Sequence, residues 1–284
     1  MLHHPGDGPR PRDLRRARAL VAAGVCVASL VALCGCARSQ AAASPTGGGL
    51  SVSYETPGSG PDERAFLHDR ELPEQVAADL NSTLRPLPEP VRITGRSCEK
   101  DGVPEYDPRS SRIVLCYGFV QEVRSMFRTA ARGGDGRAQD VDERTAGVVT
   151  ETLYHEAAHA LIDKLDLAFT GHEEDVADQF AAYRLIARGA SGRAALLAAA
   201  DNYAQYAEDE DREDADPSDE HAPDAARSAN YRCYLYGADP QRYANLVDGK
   251  RLSKERAGLC QEEYRALRRG WSRLLAARPS GGPV

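Results

Sequence analysis

The clearest candidate for chemistry in this 284-residue sequence is the pattern HEAAH, which begins at His155. On an α-helix, His155 and His159 project their imidazoles to the same side, one turn apart, so two ring nitrogens can bind one ion. Glu156 is rotated by about 100° from His155, which places its carboxylate beside the ion as a general base. The pattern predicts a zinc site, although two unrelated histidines on an amphipathic helix would look the same.

Zinc hydrolases need a third protein ligand, and the residues after HEAAH limit where that ligand lies. In the metzincin class, Gly and His follow at fixed offsets. Here those offsets fall on Ile162 and Leu165. The metzincin class is therefore excluded, and the ligand must come from further along the chain.

The next acidic cluster, EEDVAD, offers that ligand if its helix returns antiparallel to the first. Glu174 then comes level with the histidines as the third zinc ligand, and Asp178, one turn later, accepts the second N–H of a ligand histidine. Glu173 or Asp175 would replace Glu174 if the helical phase differed. Acidic residues also favour helix N-termini without binding metal. The short stretch between His159 and Glu174 requires a tight turn.

A hydrolase also needs a group that stabilises the oxyanion, and candidates lie late in the sequence. His221 is one candidate, although an isolated histidine in an acidic loop is more often only solvated. Tyr231 is another, but with Tyr234 and Tyr236 it forms a stripe that is more typical of packing.

Positions of apolar residues predict a mostly helical α+β fold that holds these side chains. Helices are expected at 66–84, 119–131, 141–166, 173–188, 193–207, 225–236 and 253–275. Strands are expected at 50–54, 91–94 and 112–117, of which the last two form a hairpin-like arrangement. The helix at 141–166 carries HEAAH.

Four cysteines lie beyond the N-terminal segment: Cys98, Cys116, Cys233 and Cys260. The N-terminal segment predicts export, as described below, and an even number of cysteines in an exported chain predicts two disulfides. Proximity in the sequence favours Cys98 with Cys116 and Cys233 with Cys260, but three connectivities are open. None of the cysteines has CxxC spacing, which argues against a cysteine-rich zinc site.

The first 36 residues have the order of an export signal, with arginines, an apolar stretch and a processing site. The ending LCGC is similar to a bacterial lipobox, so we expect Cys36 to be lipidated. Residues 37–49 would form a flexible tether, and residues 50–278 the folded domain. This predicts a location on the outer face of the cytoplasmic membrane. An ordinary cleaved signal peptide or an uncleaved anchor is the alternative.

Charge excludes one class of partner. The formal net charge is -7, and acidic residues cluster within 208–221. A nucleic-acid-binding protein would show a broad basic face, which this composition does not supply, so we expect no nucleic-acid partner.

The site segment LYHEAAHALIDKLDLAFTGHEEDVADQFAAY resembles known metallopeptidases. HExxH with a downstream ExxxD is similar to the gluzincin, thermolysin-like arrangement. More closely, residues 50–275 resemble a bacterial metallopeptidase family that is catalogued as a domain of unknown function; SVSYE, LCY, GHEEDVADQ and CYLYG carry the likeness. The resemblance implies a zincin-like domain with two local disulfides and supplies no substrate.

Together these patterns predict a zinc metallopeptidase that cleaves a peptide or protein substrate, with Glu156 as the base. A non-catalytic zincin-fold lipoprotein that binds a partner or a metal is the alternative from another class. An amidase that acts on cell-wall peptides is a third possibility.

Overall fold

The computed structural model describes residues 48–99, 102–135, 140–209 and 219–276. The predicted export signal, Cys36, most of the predicted tether and most of the acidic segment 208–221 lie outside these residues. Among the described helices, none is long and apolar enough to cross a membrane.

Helices dominate this part of the chain, and one small sheet accompanies them, which confirms the predicted mostly helical α+β class. The helices are α1 (Pro61–Asp69), α2 (Leu72–Thr83), α3 (Tyr117–Ala130), α4 (Val141–Leu165), α5 (Glu173–Ala187), α6 (Gly189–Asp209), α7 (Asp224–Ala238) and α8 (Lys254–Ala276). The strands are β1 (Leu50–Tyr54), β2 (Val91–Arg96), β3 (Glu105–Asp107) and β4 (Arg112–Cys116).

Helix α4, which carries HEAAH, lies at the centre of the domain. It contacts α2, α3, α5 and α6 as well as strands β3 and β4. Its side chains are buried on every side of the helix, including Val149, Leu153 and Leu161. A helix surrounded in this way is apolar around most of its circumference, so the titratable side chains of HEAAH lie among hydrophobic neighbours.

Two glycines allow helices to approach unusually closely. A Cβ at Gly147 would lie 2.9 Å from Cα of Ala195, where α4 meets α6. A Cβ at Gly192 would lie 2.0 Å from the carbonyl oxygen of Leu185, where α6 meets α5. The sequence predicted a break at 189–192, but α6 already begins at Gly189. The two glycines therefore allow neighbouring helices to pack closely, and α5 and α6 are not separated by a long loop.

The sheet has the strand order β1-β2-β4-β3. Strand β2 pairs in parallel with both β1 and β4, and only β3 runs antiparallel to β4. The predicted hairpin of 91–94 with 112–117 is therefore wrong. The connection between them is long enough to carry the chain back along the sheet, and it contains β3, which the sequence pattern did not reveal.

Both predicted disulfides are present. Cys98 bonds to Cys116 and ties the segment after β2 to the end of β4. Cys233 bonds to Cys260 and ties α7 to α8. Of the three possible connectivities, the structure therefore has the one in which each cysteine pairs with its neighbour along the chain.

The helix expected at 66–84 is two helices. The chain breaks at Glu71, which has a left-handed backbone conformation with φ of 52°. Pro73 explains the break, because its ring lacks an N–H and would collide with the carbonyl four residues earlier in a continuous helix.

Replacing Gly147 by Ala should destabilise the protein by about 1–3 kcal/mol, because the added methyl group collides with the backbone of α6. The matched control is Gly258→Ala on α8, where a Cβ meets nothing within 4 Å. There, helix propensity alone should stabilise the fold by up to about 1 kcal/mol. Urea unfolding measures both changes. A Gly147→Ala protein as stable as the control variant would refute the close packing of α4 on α6.

Candidate metal centre

The two histidines of HEAAH converge, as their spacing on α4 predicts. Their Nε2 atoms lie 3.2 Å apart, and their ring centroids are separated by 4.9 Å. His155 is buried and His159 is half-buried. Because the two Nε2 atoms lie this close and face the same point, both can bind one cation.

Glu174, in the first turn of α5, completes a triangle of donor atoms. Its Oε2 lies 2.9 Å from Nε2 of His155 and 3.4 Å from Nε2 of His159. The tight turn becomes possible because Asp166, directly after α4, has a left-handed conformation with φ of 48°. The acidic residue expected to be level with the histidines therefore lies beside both of them.

This triangle fits one divalent metal ion. In a tetrahedral site with bonds of about 2.0–2.2 Å, ligand atoms lie roughly 3.3–3.6 Å apart. The separations of 2.9, 3.2 and 3.4 Å lie within a few tenths of an ångström of that range. Two imidazoles and one carboxylate are also an established donor set for a catalytic metal.

The electrostatics favour a cation at the same place. Burial alone would lower the pKa of His155, but hydrogen bonds with Asp178 and Glu174 raise it to about 10. Burial would likewise raise the pKa of Glu174, but hydrogen bonds from three histidines hold it well below its usual range. The carboxylates therefore create a negative potential around the imidazoles. A metal cation can bind there in place of protons.

Glu156 lies next to this cluster with its carboxylate unengaged. Burial raises its pKa, although His155 and His159 act in the opposite direction. Within the described ranges of the chain, no group forms a hydrogen bond with its side chain. A buried carboxylate with a raised pKa and no fixed partner is suited to accept and return a proton.

Each histidine of HEAAH is held from behind by a carboxylate. Nδ1 of His155 lies 2.9 Å from Oδ1 of Asp178, the residue predicted for this position. Nδ1 of His159 lies 2.8 Å from Oε1 of Glu173. The sequence had offered Glu173 only as a substitute ligand. A carboxylate at Nδ1 orients the ring and leaves the Nε2 lone pair for a metal.

Asp178 is in turn fixed by Arg227, which no sequence pattern singled out, and by Tyr231, which the sequence offered only as a candidate oxyanion stabiliser. Arg227 on α7 donates to both of its oxygens, at 2.8 and 2.7 Å. Tyr231, one turn later, lies 3.0 Å from Oδ1. Burial alone would raise the pKa of Asp178. Arg227 and His155 outweigh that effect and hold the pKa below its usual value, so Asp178 stays ionised.

Tyr231 also contacts Glu151, which lies on α4 one turn before His155. Burial, together with the nearby charge of Asp178, raises the pKa of Glu151 to about 7. The Tyr231 hydroxyl therefore lies between two carboxylates, Glu151 and Asp178, and its one proton is donated to either of them. The spacing of Glu151 from His155 was the one sequence signal for this contact, because it repeats the interval of the two histidines.

The structure also brings His221 to the cluster. Its Nε2 lies 2.9 Å from Oε2 of Glu174, and its ring stacks on that of His155 at a centroid distance of 6.3 Å. The donor atoms of His155, Glu174 and His221 all lie within 4.8 Å of one another. The side chain is 46% exposed, so His221 occupies the solvent side of the cluster.

Tyr234 does not join the site. It lines a separate cavity of about 750 Å³ between α5 and α8, together with Val176 and Trp271. Val176 is half a helical turn from both Glu174 and Asp178, so this cavity lies against the opposite face of α5.

Comparison with protein families gives one match. A family model described as "Putative metallopeptidase" matches residues 57–275, a range that includes every residue of the cluster. Comparisons with curated proteins and with solved structures give no significant match.

The wild-type chain should bind about one divalent metal ion per molecule, and His155→Ala with His159→Ala should abolish binding because two of three donors are lost. His172→Ala is the control, since His172 is exposed and its side chain forms no cap at the start of α5. Elemental analysis after gel filtration measures the stoichiometry. Equal metal content in all three proteins would rule out a metal centre at these histidines.

Proposed function

This chain belongs to that metallopeptidase family, since the match spans more than half of its residues, and we propose that it is a zinc-dependent hydrolase of peptide bonds. The convergence of His155, His159 and Glu174 beside an unengaged Glu156 carries this proposal. Zinc is favoured because two imidazoles with one carboxylate are a catalytic zinc set that leaves a position open. Softer thiolate ligands are absent from the described cluster.

When bound, zinc would lower the pKa of a water molecule and polarise the carbonyl of the bond to be cleaved. Glu156 accepts the proton as the water oxygen bonds to the carbonyl carbon, and it returns that proton to the leaving amine as the C–N bond breaks. Burial raises its pKa, which is the direction that makes a carboxylate a stronger base. Asp178 and Glu173 hold the two imidazoles in orientation throughout.

Glu156→Gln should lower peptide cleavage by about 10²–10⁴-fold while metal content stays unchanged, because the amide cannot accept a proton. Glu143→Gln is the matched control. It lies on the same helix, and its side chain is 73% exposed. Hydrolysis of unfolded casein and of a cell-wall peptide is measured with the purified full chain.

Equal cleavage by the Glu156→Gln and wild-type proteins would contradict the mechanism. Cleavage of the cell-wall peptide alone would favour an amidase. If metal binds but neither substrate is cleaved, a non-catalytic metal-binding role is favoured instead.

We further propose that the protein is exported and anchored outside the cytoplasm through a lipid on Cys36. The order of charged, apolar and processing segments before this cysteine supports export. The two disulfides add support, because such bonds persist mainly in oxidising compartments.

Cys36→Ala should therefore remove fatty-acid labelling and membrane association when the full chain is expressed in a bacterium. Cys34→Ala, two residues earlier in the same signal, should retain both. Radiolabelled palmitate and membrane sedimentation are the measurements. Unlabelled wild-type protein released in soluble form would instead indicate an ordinary cleaved signal peptide.

A further inference from the structure

His221 repeats a pattern that the two helix-borne histidines share. In His155 and His159, Nδ1 faces a carboxylate and Nε2 faces Oε2 of Glu174. In His221, Nδ1 lies 3.2 Å from Oδ1 of Asp219, and Nε2 lies 2.9 Å from that same oxygen of Glu174. Three imidazoles therefore converge on one carboxylate oxygen, and each has its own carboxylate behind it.

The carboxylate at Nδ1 of each ring determines which ring nitrogen carries the proton. When Nδ1–H of a neutral imidazole donates to a carboxylate, the lone pair is left on Nε2, which is the tautomer that binds metal. In that neutral tautomer Nε2 carries no proton, whereas a group that stabilises an oxyanion needs one on the nitrogen that faces the substrate. Asp219 also accepts the backbone N–H of His221 at 2.8 Å, which holds the imidazole and its partner together.

We propose that His221 is a fourth, displaceable protein ligand of the metal ion held by His155, His159 and Glu174. This inference rests on the proposed metal centre and adds to it the state of the site before substrate arrives. With four protein donors, the position needed for substrate is closed at rest.

Displacement follows from where His221 lies. The other donors are carried by the long helices α4 and α5, whereas His221 precedes α7 in a segment without regular structure, and its side chain is 46% exposed. Moving it disturbs its stacking on the His155 ring and its contact with Glu174, but no helix has to shift. The water that Glu156 deprotonates and the substrate carbonyl can therefore approach from the side that His221 vacates, and the imidazole keeps its hydrogen bond with Asp219 as it leaves.

Metal affinity gives the first test, measured on the full chain by competition with a chromogenic zinc chelator. His221→Ala should weaken zinc binding by about 10- to 100-fold, at least as much as losing a residue that only orients a ligand. Asp219→Asn, which retains the imidazole but weakens its orientation, should have a smaller effect in the same direction. His172→Ala should leave the affinity unchanged.

Acetohydroxamate, which binds metal through two oxygens, gives the second test because the two roles predict opposite signs. If His221 is a ligand, acetohydroxamate must displace it, so the His221→Ala protein should bind this probe more tightly by about tenfold. If His221 instead donates a hydrogen bond to an oxyanion, the same variant should bind the probe more weakly. If His221 is a ligand, added imidazole should also occupy its place in the His221→Ala protein and weaken acetohydroxamate binding again.

Zinc affinity within twofold of wild type, or weaker acetohydroxamate binding by His221→Ala, would overturn the inference while leaving the three-donor centre intact. Loss of the metal centre itself would look different. In that case the wild-type chain would bind no zinc that depends on His155 and His159, whatever residue stands at 221.

Discussion

Buried negative charge is the constraint on which the rest of this structure depends. Half-buried Glu174 and buried Asp178 lie against His155, and away from water an ionised carboxylate is stable only with close cationic or hydrogen-bonding partners. Arg227 supplies a two-point contact with Asp178, and the imidazole of His155 lies between the two carboxylates. A metal ion at the imidazoles and Glu174 would add the remaining positive charge.

That constraint determines how three helices pack. The side chains of α4 and α5 that face each other at the site are polar, while most of their other contacts are apolar. Helix α7 is held against them because Arg227 and Tyr231 reach Asp178. The Cys233–Cys260 disulfide lies further along α7 and joins it to α8, so the helix that supports the site from behind is covalently tied to the domain.

Helical periodicity accounts for the parts of the site that could be predicted. The interval of four residues places Glu151, His155 and His159 on one face of α4 and Glu174 and Asp178 on one face of α5. An antiparallel return then brings the two faces together. Periodicity did not predict how the strands pair. The apolar residues of β2 and β4 show the same pattern whether the two strands run parallel or antiparallel. It also missed the interruption at Glu71, although Pro73 was visible in the sequence.

The sequence by itself determined the two histidines, the adjacent glutamate and the acidic residues of α5, and it favoured, without deciding, the pairing of neighbouring cysteines. Each of these depends on spacing within one helix or on short loops, where local geometry leaves few alternatives. Only the tertiary structure decided that Glu173 orients His159, that Arg227 neutralises Asp178 and that His221 reaches Glu174. The contacts of Arg227 and His221 join segments far apart in the chain, and their distances depend on how α6 and α7 pack against the other helices, which no local pattern encodes. The contact of Glu173 with His159 is short-range, but it depends on the exact rotation of α5 against α4.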